Sequence, residues 1–118
     1  MENQEILKVA LGALDDKKAK NPQIIKVTDL TALADYFVLA SGGSSTQVKA
    51  LADEVEARLK KSGLEPKRTE GYHGANWIVL DYIDVVVHIF HVETREFYDL
   101  ERLWQDGEFI DITEFLEK

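Results

Sequence analysis

Cysteine is missing from this chain altogether, and with it go disulfides, thiolate nucleophiles and Cys-based zinc sites. No apolar run approaches the roughly 20 residues that a membrane-spanning helix needs. Met1-Glu2-Asn3-Gln4-Glu5 lacks the basic start of a secretory leader, so a reducing cytoplasm is the expected setting. Basic residues are in deficit too: 14 Lys and Arg stand against 22 Asp and Glu, for a net charge of −8. Phosphate neutralisation supplies most nucleic-acid affinity, so direct nucleic-acid binding is not expected, nor is a membrane. An acidic surface suits a basic protein partner approached by electrostatic steering, or serves solubility alone.

What remains is enough for one domain. In 118 residues, 45% are apolar and 31% charged, an ordinary soluble balance. Two β-branched, aromatic-rich runs, Trp77–Leu80 and Val85–Phe90, are joined by Asp81-Tyr82-Ile83-Asp84, too short for a crossover helix. They are expected to pair as an antiparallel hairpin. Alternation puts Trp77, Val79 and Asp81 on one face and Ile78 and Leu80 on the other. Both faces are apolar, so the hairpin is expected either at the centre of its sheet or covered on one side by a partner. Gly71-Tyr72-His73-Gly74 leads in as an irregular approach that presents Tyr72, His73 and Trp77 at a strand end.

Around that hairpin the chain reads as follows. Residues 2–19 carry a helical apolar stripe ended by Asn21-Pro22. Ile24–Val27 is a short strand, Thr28–Asp35 a connector with one helical turn that Asp29 can cap, and Tyr36–Ala40 an apolar strand. Ser41–Ser45 turns into a helix over about 45–62, with Ser44 and Gln47 as a capping box. Glu65–Glu70, with its proline, belongs at a sheet edge. Val92–Tyr98 and Leu100–Trp104 read as two short helical turns. The acidic, apolar tail after Gly107 is either a short amphipathic helix on the body or a segment that orders only against a partner. The order predicts an α/β domain with a mixed β-sheet flanked by helices.

No constellation supports catalysis. Gly42-Gly43-Ser44 before a helix resembles an anion-binding turn and the opening motif of nucleotidyltransferases, but an ordinary turn with an N-cap is the simpler reading. Asp53, Glu54 and Glu56 lie on a helix, and only Asp81 and Asp84 sit near strands, so no metal-holding carboxylate set is found. His88 and His91 point to opposite faces of one strand and cannot share a metal ion. His88 lies with Val86 and Phe90 and reads as a core imidazole satisfied by a hydrogen bond.

Taken together, Asp29-Leu30, Asp35-Tyr36-Phe37-Val38, Gly42-Gly43-Ser44-x-x-Gln47-Val48, Gly71 to Trp77, Leu80-Asp81, Asp84 to Phe90 and Arg95-x-x-Tyr98-x-Leu100-Glu101-x-Leu103-Trp104 resemble one family. That family is the ribosomal silencing factors, the Iojap-like proteins of bacteria and organelles. The resemblance covers a domain over residues 1–106 and leaves the tail, residues 107–118, outside. It implies a nucleotidyltransferase-like fold without catalytic carboxylates, and a non-enzymatic translational repressor with no cofactor. It further implies binding to the large ribosomal subunit through ribosomal protein L-fourteen, blockage of small-subunit joining under nutrient limitation, and homodimers. Gly71, Trp77, Leu80, Asp81, Arg95 and Tyr98 match family positions. On that resemblance Trp77 and Leu80 are expected as buried anchors, Asp81 as a partner for Lys or Arg, and Arg95 and Tyr98 as the frame. A nucleotide-binding enzyme is the alternative.

Overall fold

Helical stripes and alternating strands sort this chain's apolar residues onto the two sides of one sheet. In the computed structural model, which describes residues 1–116, the elements are α1 (Asn3–Asp16), β1 (Lys20–Lys26), β2 (Tyr36–Gly42), α2 (Ser45–Lys61), β3 (Arg68–Glu70), β4 (Trp77–Asp81), β5 (Val85–His91), α3 (Val92–Tyr98), α4 (Leu100–Leu103), β6 (Glu108–Ile110) and α5 (Thr113–Leu116). The strands form one mixed sheet in the order β3-β4-β5-β2-β1-β6. Only β2 and β5 run parallel; the other pairs are antiparallel. The expected α/β domain with a helix-flanked mixed sheet is therefore what the chain builds.

α1 and α2 cover one face. Leu7, Leu11 and Leu14 of α1 and Val48, Leu51, Val55 and Leu59 of α2 meet Val38, Ala40, Ile78, Leu80, Val87 and Ile89 from the strands. All of these are buried. The opposite face is thinner: Ile25, Phe37, Leu39 and Phe90 pack with Leu100, Trp104 and Trp77 under the short α3–α4 segment. This unequal cover governs everything about the site below.

Local signals behave as their chemistry dictates, with three changes. Ser44 caps α2 by accepting from the Gln47 amide at 3.1 Å, but the Gln47 side chain reaches back to the Gly43 amide at 2.7 Å instead of the cap residue's own. The first helix stops at Asp16, where Lys18 takes a left-handed φ of 60°, so Asn21-Pro22 is not its terminator. Those two residues lie inside β1 at a register shift between Lys20 and Gln23, a bulge that spares the ladder the missing proline N–H. The third change is the tail: Glu108–Ile110 pairs antiparallel with Ile24–Lys26 as a sixth strand, and α5 packs against α1. Gly107 allows that approach, because a Cβ there would stand 2.7 Å from Ile25 Cγ2 and 2.9 Å from the Lys26 carbonyl oxygen. Residues 117 and 118 of the tail lie outside the described residues.

Candidate docking face

β4 and β5 pair in regular register from Trp77 opposite Phe90 to Asp81 opposite Val86. Alternation then divides their side chains cleanly. Ile78 and Leu80 face α1 and α2 and are fully buried, whereas Trp77, Val79 and Asp81 are half-buried on the thinly covered face. Leu80, expected as an anchor for a partner, is 0% exposed and belongs to the core. With no bulge in β4, nothing turns it toward the Trp77 side.

Trp77 is the centre of an aromatic cluster. Its ring stacks on Phe90 with centroids 4.9 Å apart and meets Tyr98 at 5.0 Å. Its Nε1–H donates to His88 Nδ1 at 3.1 Å, so His88 must be neutral with its proton on Nε2. Burial pushes the His88 pKa down to about 4, against a smaller upward pull from Asp81. Phe37 meets the same imidazole edge-on at 5.0 Å and Trp104 at 5.1 Å. His88 is thus the core imidazole expected, hydrogen-bonded through Nδ1, while its buried Nε2 has no hydrogen-bond partner among the described residues.

α3 and α4 extend this cluster outward. Phe97 is 81% exposed, Leu103 71% and Tyr98 52%. They border an open groove of about 640 Å³ that Glu96, Asp99 and Arg102 also line. Large apolar side chains left in water on adjacent short helices are what a candidate interaction surface looks like. Phe97 and Leu103 were missed in the sequence, since helices of seven and four residues have no periodicity from which to read an exposed side.

The remaining expected contact residues scatter. Tyr72 lies on the helix side, its hydroxyl donating to Asp53 at 3.1 Å with Lys49 Nζ 5.4 Å from its ring centroid. His73 is exposed beside it, 6.1 Å away ring to ring. Gly71 has a φ of 77°, and a Cβ there would run into the Trp77 carbonyl oxygen, so its role is the close approach of the loop to β4. Asp81 faces the Trp77 side but pairs with Arg68 at 3.3 Å, and its other oxygen accepts from the Ile83 amide at 2.8 Å. Arg95 is 6% exposed, and its guanidinium is spent internally. It donates to Glu101 at 3.0 Å, to the Ser41 hydroxyl at 2.9 Å and to the Lys20 carbonyl at 3.4 Å, fastening α3 to α4, β1 and β2. The structure therefore brings Trp77 and Tyr98 together, with Phe97 and Leu103 added; Asp81 shares the Trp77 face but stands at the far end of β4 beside Ile83, and Tyr72, His73 and Leu80 lie on the other side. Among the described residues no three His, Asp or Glu side chains converge as a metal site, and no helix is long and apolar enough to cross a membrane.

The family described as "Ribosomal silencing factor during starvation" matches residues 1–118, so the match takes in the tail as well. The chain belongs to the ribosomal silencing factors. A curated member from Halalkalibacterium halodurans, named ribosomal silencing factor RsfS, is 41% identical over 112 residues, which span 95% of this chain and 96% of that protein. A crystal structure of a Chromobacterium violaceum protein superposes with a TM-score of 0.86 at 41% identity, covering 89% of this chain and 88% of that one. A more distant mouse relative, 31% identical over 104 residues, spans 86% of this chain and 46% of its own length; it is named mitochondrial assembly of ribosomal large subunit protein 1. For a member of this family, the question the fold leaves is which face meets the ribosome.

Proposed function

We propose that this silencing factor represses translation by docking on the large ribosomal subunit through ribosomal protein L-fourteen and blocking the small subunit sterically. No bond is made or broken in this action and no cofactor takes part. The observation that carries the reading is the open aromatic face: Trp77 half-buried on Phe90, Tyr98 beside it, and Phe97 and Leu103 almost fully in water. Aromatic anchors of this kind supply most of the energy of protein interfaces. The net charge of −8 steers the domain toward basic ribosomal proteins and away from RNA phosphates. Asp81 sits on the same face, where a partner lysine or arginine replaces or joins Arg68. Homodimers and a cytoplasmic setting are part of the same reading.

The test is sedimentation. The protein should travel with free large subunits and not with joined ribosomes. Phe97→Asp combined with Leu103→Asp should weaken that association at least about tenfold, because each places a charge in a desolvated contact. Both positions are exposed, so the thermal melt should move little. Equal binding to free subunits and joined ribosomes would sink the proposal.

The nucleotide-binding alternative finds no support in the geometry. The Gly43 amide is already bonded to Gln47, Asp81 is tied to Arg68, and Glu54 is paired with Arg58 at 2.6 Å.

A further inference from the structure

Besides Met1 and Phe109, the exposed large apolar side chains of the described residues form two groups, and the aromatic face uses one of them. Leu33 is 85% exposed, Ile83 59% and Leu30 43%. All three stand at the other end of the strands. The Asp84 carbonyl accepts from the Asp35 and Tyr36 amides at 2.8 and 3.0 Å, which holds the β4–β5 turn against the loop that carries Leu30 and Leu33. Ile83 is the middle residue of a three-residue turn closed by the Asp84 amide donating to the Tyr82 carbonyl at 3.0 Å. Its φ of 73° is a conformation that a β-branched residue adopts only at a cost in strain. That strained position sends an isoleucine into solvent, where it contributes nothing to the core.

Carboxylates surround these residues. Glu2 and Glu5 open α1, whose Asn3 donates to Asp35 at 3.2 Å; Asp29 and Asp84 sit in the two loops, and Glu108 pairs across from Lys26. Lys26 lies beside Asp29 and Leu30, Lys67 and Arg68 flank Asp81, and Arg68 is already tied to that carboxylate. Like charges disfavour three occupants here. Nucleic acid and an anionic bilayer both carry phosphate, and a second copy of this chain would bring the same carboxylates face to face.

We propose that this end is a second docking surface, and that its occupant is a lysine- or arginine-rich protein segment with an apolar side chain that seats among Leu30, Leu33 and Ile83. The proposal rests on the silencing reading in one respect: the segment belongs to a second basic protein of the large subunit. Aliphatic knobs within an acidic rim give such a segment both desolvated contact and orientation. Two separated contacts on one subunit also multiply affinity without either being strong alone.

The experiment uses the full chain and purified large subunits. Ile83→Asn with Leu33→Ser removes the knobs, and asparagine tolerates a left-handed φ, so the fold gains rather than loses from the first change. The pair should weaken co-sedimentation about tenfold while the melting temperature holds or rises. Zero-length carbodiimide coupling should join Asp29, Asp84 or Glu108 to lysines of a subunit protein other than the one joined to Glu96 or Asp99, which line the groove beside Phe97 and Leu103. Unchanged affinity of the double variant overturns the proposal alone, and so do couplings confined to copies of this chain. Failure of the native chain to co-sediment at all overturns it together with the silencing reading.

Discussion

His88 makes this fold sensitive to acid in a way that can be isolated. Its Nδ1 accepts from the Trp77 indole at 3.1 Å, and a protonated imidazole has no lone pair left for that bond. The folded-state pKa of about 4 lies below the ordinary 6.5, so between those values the unfolded chain binds the extra proton. Stability from this group is therefore whole above pH 6.5 and is lost progressively as pH falls toward 4. Each pH unit in that window is worth about 1.4 kcal/mol, so the whole window costs roughly 3 kcal/mol, against a total that is on the order of 5–15 kcal/mol for a domain. Carboxylates titrate over the lower part of the same range, so the acid profile of the native chain alone decides nothing. His88→Gln keeps a side-chain oxygen to accept from Trp77 and removes the titration. Urea unfolding of both proteins from pH 7.5 to 4 should give curves that diverge below pH 6.5, with the native chain losing the additional roughly 3 kcal/mol. Parallel curves would show that His88 is not held neutral by its surroundings, and the account of the aromatic cluster would fail.

Three further outcomes check the structural assignments. Leu80→Ala, in a fully buried site, should cost about 2–5 kcal/mol in urea unfolding and leave subunit binding by the folded fraction intact; lost binding with little lost stability would return Leu80 to the interface. Gly71→Ala sets a methyl against the Trp77 carbonyl oxygen at a left-handed φ and should cost at least about 2 kcal/mol, measured the same way; a neutral result would mean that the loop relaxes freely. Arg95→Met should cost about 2–3 kcal/mol, less than a wholly buried pair because the Glu101 side chain is 24% exposed, and adding Glu101→Gln should restore part of it. No restoration would deny that the loss comes from a stranded carboxylate.

The sheet and its two long helices could be read because periodicity and caps carry them. Leu51, Val55 and Leu59 recur at helical spacing, Ser44 sits before the helix it caps, and the Val85–Phe90 alternation sorts correctly between the two faces. The site was less legible, for a geometric reason. Resemblance gave Trp77, Leu80 and Arg95 equal standing, yet strand alternation sends Trp77 outward and Leu80 inward, and only the packing of α3 shows that Arg95 turns back to Ser41 and Glu101. Phe97 and Leu103 lie on helices too short to show a period, and β6 is three residues long with a carboxylate in it, so neither signal rises above its surroundings. The same burial changes the value of Trp77 as a probe: a half-buried indole bonded to His88 supports the fold as well as any partner, and the exposed Phe97 separates those effects better.

The sixth strand has a consequence for how the protein is made. β1 is synthesised early, but among the described residues its outer edge is covered by residues 108–110, which are made after every other strand of the sheet. Until then a strand carrying Ile24 and Ile25 presents unpaired amides and carbonyls along one side, the condition under which nascent chains pair with one another. The sheet of this domain stays open along β1 until β6 arrives.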